Sequence, residues 1–193
     1  MLTQARKVYQ KNPIVVWRPD LETIPGGFKL NQEGYKTGDV IPAGSNAHFD
    51  ELTRIATIVP TAKLSEAVTG SAQAIKLPSG SGLAPGMFIV QEGETTSVKI
   101  VSAVSSNGYD TFTLDAPVTD LPKGTVFIKA LETAINGSIL FVTPNYPTYT
   151  EVVVQENATI DAVSLGTCYE RRIPAVPKEF KALYPKITYL QSK

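Results

Sequence analysis

The chain has one cysteine, one histidine and one tryptophan among its 193 residues. Cys168 alone excludes an intrachain disulfide, so the fold must rest on a buried apolar core, which a chain of this length can supply. A single thiol beside Tyr169 reads as a small packed hydrophobe, and the composition fits a reducing compartment. One histidine and one cysteine far apart in sequence exclude zinc, which takes three or four nitrogen or sulfur ligands. Acids do not gather into a calcium loop either: Gln91-Glu92-Gly93-Glu94 offers two carboxylates beside a turn glycine and reads as a solvated hairpin tip. No run approaches the roughly 18 apolar residues of a spanning helix, and the opening Met1 to Asn12 has no apolar signal core. The expectation is a soluble protein made in the cytoplasm, without a membrane partner. Charge of one sign is also missing. The 18 basic and 18 acidic residues balance, and the longest like-charge run is Arg171-Arg172. That balance argues against nucleic acid as the main ligand, because phosphate binding needs clustered cations.

What the chain does have is corners. Proline and glycine number 14 each, and an apolar residue followed by Pro, any residue and Gly occurs four times. The copies are Ile24-Pro25-Gly26-Gly27, Ile41-Pro42-Ala43-Gly44, Leu77-Pro78-Ser79-Gly80 and Leu121-Pro122-Lys123-Gly124. With proline at the second position of a β-turn and glycine at the fourth, each should stop one strand and start a new direction.

Between the corners lie short β-rich runs. Ile14 to Trp17 reads as a strand anchored by Trp17, and Arg54 to Val59 as another, closed by Pro60. Ala72 to Leu77, Gly86 to Gln91, Ser97 to Val104, Thr111 to Leu114 and Thr125 to Lys129 follow one another as in a small barrel, with Asn107-Gly108 at a hairpin tip. Ser138 to Val142, Thr150 to Gln155, Ile160 to Leu165 and Thr167 to Tyr169 are further strands, the last two separated at Gly166. Pro177 to Tyr184 is the one helix, with Phe180 and Leu183 on one face, and Ile187 to Leu190 a final strand. The pattern predicts a mainly β protein. A small β-barrel-like module, residues 65–131, is inserted in a β-rich α/β base made of residues 1–64 and 132–193, with one short C-terminal helix.

Catalytic constellations are weak. His48 with Asp50 suggests a base and its orienter, but no Gly-x-Ser-x-Gly or other nucleophile motif accompanies them. The run Leu77 to Leu83 is rich in glycine yet lacks the Gly-Lys-Ser/Thr ending of a phosphate cradle and reads as a turn. Asn136-Gly137-Ser138 and Asn157-Ala158-Thr159 match the glycosylation pattern by chance. Tyr146 and Tyr149, across Pro147, offer either stacking faces to a sugar or packing against another subunit. No cofactor or metal is expected, and the chain reads as a protein that is not an enzyme.

Three segments carry a resemblance: Gly38-Asp39-Val40-Ile41-Pro42-Ala43-Gly44, then Leu83-Ala84-Pro85-Gly86-Met87-Phe88-Ile89-Val90 leading to Asn107-Gly108, and Cys168-Tyr169-Glu170-Arg171-Arg172-Ile173-Pro174 before Pro185-Lys186-Ile187-Thr188-Tyr189-Leu190. In this order they resemble head-fibre and capsid decoration proteins of tailed bacteriophages, in particular those of phages and prophages of gut bacteria. The resemblance implies a non-enzymatic virion protein, assembled in the bacterial cytoplasm, that binds the major capsid protein on the outer head surface, commonly as a homotrimer. No long coiled coil or fibrous repeat is present, so a compact knob is expected. Tyr146, Tyr149, Tyr169, Arg171 and Arg172 are the expected subunit or capsid contacts. The alternative is a carbohydrate-binding β-module that attaches to host-surface glycans.

Overall fold

The computed structural model describes residues 16–106, 108–135 and 138–191. Ile14 and Val15 of the opening strand, Asn107 of the hairpin tip and Asn136-Gly137 lie outside them, as does the opening segment. The protein is mainly β, with curled half-barrel sheets and one short C-terminal helix.

The first sheet is built from β1 (Glu22–Leu30), β3 (Asn46–Asp50), β4 (Ile55–Ile58), β12 (Tyr146–Pro147), β14 (Thr159–Tyr169) and β15 (Ile187–Leu190), in the order β12-β3-β4-β1-β14-β15. A bridge between Thr148 and Ala162 brings the chain just after β12 back to β14, so the sheet curls towards closure. Inside the curl lie Phe28, Phe49, Ala56, Ile160 and Ala162, with Phe28 and Phe49 meeting edge to face at 4.9 Å. β2 (Val40–Ile41) pairs with β13 (Val152–Val153) beside it. The α/β part of this base is the last stretch, where β14 and β15 run parallel and α1 (Lys178–Leu183) connects them.

The second sheet is β11 (Ser138–Leu140), β10 (Val126–Ile135), β7 (Phe88–Gln91), β8 (Ser97–Ser106), β9 (Tyr109–Leu121) and β6 (Val68–Pro78), with β5 (Thr61–Lys63) also on β10. It runs wider than residues 65–131, taking in β5 before them and the end of β10 and β11 after. The alternation of side chains along a strand makes β10 and β7 a shared wall. Phe127 and Ile89 enter the module core with Ile75, Leu77, Ile100 and Phe112. Val126, Ile128 and Val90 face the other way, into a core with Trp17, Cys168, Phe180 and Tyr184. Module and base are thus held by one strand pair with two apolar faces.

The corners differ from expectation in a way that geometry explains. Ser45 N–H donates to the Pro42 carbonyl at 3.3 Å and Thr125 N–H to that of Pro122 at 3.2 Å. Proline therefore stands first in these turns, and glycine third, where Gly44 (φ +78°) and Gly124 (φ +90°) take the left-handed backbone that a type II turn needs. Ile24-Pro25-Gly26-Gly27 is no corner at all. β1 runs through it, with a bulge between Ile24, opposite Ala162, and Phe28, opposite Ile160.

Other elements also differ. Gly166 does not break β14; a Cβ there would meet Leu21 at 3.2 Å and Trp17 at 3.5 Å, so the glycine makes room rather than a turn. β9 extends far beyond Leu114 because its Pro117 sits where the register with β6 shifts, a place that needs no donor. Of Thr150 to Gln155 only Val152–Val153 is strand. On α1, Tyr184 just past the end joins Phe180 in the core, while Leu183 is 44% exposed, since four residues, not three, complete the inward turn here.

Candidate functional site

His48 and Asp50 each bond elsewhere. His48 Nδ1 lies 2.9 Å from the Thr143 carbonyl oxygen. Asp50 accepts from Thr53 Oγ1 and from the N–H groups of Leu52 and Thr53, which closes the loop between β3 and β4 and holds its carboxyl below the usual range. Cys168 is fully buried, and burial, with the nearby Glu170 charge, pushes its thiol up to about 12 despite Lys181. It is no nucleophile at neutral pH. Among the described residues no group of three His, Cys, Asp or Glu could hold a metal ion, and no helix is long and apolar enough to cross a membrane.

The expected contact residues fall in three places. Tyr146 pairs with Ala47 at the edge of the first sheet and packs on the Phe49 side, ring centres 6.3 Å apart. Tyr149 packs instead against the Trp17 core, so the two rings serve separate clusters rather than one platform. Tyr169 ends β14 with the Arg172 guanidinium 4.8 Å over its ring, and Arg171 beside it is exposed.

Around that end of β14 is a polar cluster that sequence reading missed. Lys181 Nζ meets Glu170 Oε1 at 2.7 Å, with both side chains mostly buried, and stands 5.1 Å over the Tyr189 ring. Burial alone would raise the Glu170 carboxyl, but the hydrogen bond and charge of Lys181, helped by Gln191 and Lys63, hold it below the ordinary range. Tyr184 and Tyr189 phenols are pushed up, chiefly by burial. Glu170 and Lys181 are eleven residues apart and joined only by the fold, so no local spacing announces them. They pin α1 onto β14.

A second unannounced feature is the outer face of β8, β9 and β6. The register aligns Ser102, Thr113 and Ala74; then Val104, Thr111 and Lys76; then Ser106, Tyr109 and Pro78. Phe112, Ile75 and Leu77 point to the module core, and the register shift between Ile100 and Ser102 puts Ser102, Val104 and Ser106 on the side away from it, so these rows point out. Val104 is 67% exposed and Tyr109 50%, and Lys76, the one charge in the three rows, is paired with Glu66 at 3.0 Å. On β9 and β6 the alternation of Thr111, Thr113, Ala74 and Lys76 with buried residues could have signalled this face; β8 is exposed on both sides beyond Ile100, so Val104 could not be assigned to a side without the register.

A groove of about 530 Å³ also opens beside the β3–β4 loop, lined by Lys29, Leu30, Asn31, Gln32, Ile55, Glu156 and Asn157. No protein-family model matches the chain, and no curated protein or solved structure matches it significantly.

Proposed function

We propose that this chain is a structural virion protein, a head decoration or short head-fibre component that binds the outer capsid surface and acts by contact rather than chemistry. The resemblance of Gly38–Gly44, Leu83–Val90 and Cys168–Pro174 supplies the class. The observation that carries a contact role is the outer face of β8, β9 and β6, where exposed Val104 and Tyr109 stand among hydroxyl side chains with one paired charge. Strand spacing and rise give this face an area on the order of 300 Å², as large as the main apolar patch of a typical monomer. A stable interface takes about 800 Å² from each partner, so the face serves as the centre of a larger contact with the major capsid protein or with further copies in a homotrimer.

The test is co-sedimentation of the purified chain with heads of the phage whose genome encodes it. Saturable pelleting supports the reading; a chain that stays in the supernatant at every concentration overturns it. The carbohydrate-binding reading stands second. It has one observation in its favour, the groove lined by Lys29, Asn31, Gln32, Glu156 and Asn157, whose amides and charges suit sugar hydroxyls. Its lining contains no aromatic ring, and Tyr146 and Tyr149 are turned to separate cores. A glycan array distinguishes the two.

A further inference from the structure

Three parts of the chain meet at Asn46. It is 1% exposed at the start of β3. Its Nδ2 donates to Thr61 Oγ1 at 3.1 Å, at the start of β5, and to the Ala175 carbonyl at 2.9 Å, in the segment 173–176 that leads to α1. Thr61 Oγ1 donates to the same carbonyl. Base, module entry and C-terminal strap are therefore tied by a single polar knot.

The knot fixes the orientation of the amide. Turned over, Oδ1 would face the Ala175 carbonyl, which has no proton to give, so Nδ2 must point there and Oδ1 away. Among the described residues Oδ1 has no partner. A buried carbonyl oxygen left without a donor carries the full desolvation penalty of that group, so a donor is called for. Asn46 borders a cavity of about 30 Å³, shared with Tyr35, Ser45, Thr61, Pro174 and the loop Gly80–Gly82. A water needs roughly 10–15 Å³ of such space and two or more polar partners, so the cavity fits about two.

The loop over the cavity is the glycine-rich run that reads as a plain turn in the sequence. Gly80 (φ +78°) and Gly82 (φ +77°) both take left-handed backbone, and a Cβ on Gly82 would stand 3.1 Å from the Tyr35 hydroxyl and 3.4 Å from Pro60. The glycines let the loop close down on Tyr35 and Pro60.

We propose that this cavity is a built hydration site, in which ordered water donates to Asn46 Oδ1, and that the hydrated knot fixes how β5 and the strap seat on the base. The site is independent of what the protein binds. Two measurements test it. A crystal structure at a resolution that shows solvent should place a water within hydrogen-bond distance of Asn46 Oδ1 in every independent copy; an empty or collapsed cavity overturns the proposal. Thr61→Val keeps the side chain's shape and removes its hydroxyl. Native-state hydrogen exchange of that variant should show protection of β5 and residues 173–176 reduced about tenfold while the β8–β9 hairpin is unchanged. Unchanged protection at β5 overturns the coupling. Should Thr61→Val fail to fold, the water in the wild-type crystal decides alone.

Discussion

Glu92 Oε1 accepts the backbone N–H of Lys178 at 2.5 Å, so the turn between β7 and β8 caps the first residue of α1 from the other sheet. The turn that reads as a solvated hairpin tip is in fact docked. Free N–H groups at a helix start need such an acceptor, and α1 has no side-chain cap of its own. Glu92→Ala should lower stability by about 1 kcal/mol, the usual worth of an N-terminal cap, measured by urea unfolding. No loss would mean that the contact is not held in solution.

The same carboxylate acts on Glu179. Burial first, and then the charge of Glu92, raise the Glu179 pKa. A carboxyl whose folded pKa lies above its unfolded one favours the folded state most below the unfolded pKa, and that advantage is lost as pH rises through the folded value. Glu179→Gln should therefore stabilise the protein at pH 7 and give no gain near pH 3. The side chain is exposed, so the gain should not exceed about 0.5 kcal/mol. Thermal unfolding across that pH range checks the sign.

Gly44 and Gly80 have the same backbone angle, φ +78°, but different surroundings. A Cβ on Gly44 would lie 2.3 Å from Ile173 Cγ2, whereas one on Gly80 would meet nothing within 4 Å. Gly80→Ala should cost about 1–2 kcal/mol from the left-handed backbone alone. Gly44→Ala should cost that and a further 1–3 kcal/mol or so of overpacking, part of it recovered in the double variant with Ile173→Ala. Equal losses would contradict the close seating of the strap on the corner.

Cys168, fully buried with its thiol pushed up to about 12, should resist alkylating reagents at pH 8 in the folded protein. Labelling should follow global unfolding and become rapid in denaturant. Fast labelling of the native chain would contradict the packing of β14 beneath Trp17.

Self-association is the prediction that bears on assembly. Light scattering behind size-exclusion chromatography, over a dilution series, should give three times the 20.8 kDa of the chain, the symmetry of the three-fold sites of a shell. A persistent monomer would remove the trimer from the account.

Much of the β architecture was legible because its signals are local. Ser97, Ile187 and Leu190 were placed at the ends of their strands by alternation and by flanking turn residues. What was not legible depends on pairing. Pro25 and Gly26 carry a turn signature, yet β1 bulges through them because β14 lies alongside. Gly166 looks like a break until Trp17 is seen above it. The same limit applies to the candidate contacts: the ring of Tyr169 and Arg172 are near in sequence and meet, while Val104, Thr111 and Lys76 become one row only through the register of three strands.

The most direct measurement is head binding by the wild-type chain beside the variant Val104→Asp with Tyr109→Asp. Both substitutions lie on the exposed face, where the fold should tolerate them. The account predicts that the wild type pellets with heads of the phage that encodes it and that the variant, equally folded, binds at least tenfold more weakly, since a central apolar contact is worth about 1–2 kcal/mol or more. Equal binding by the two would contradict the assignment of this face, and a wild type that does not bind heads at all would contradict the decoration role itself.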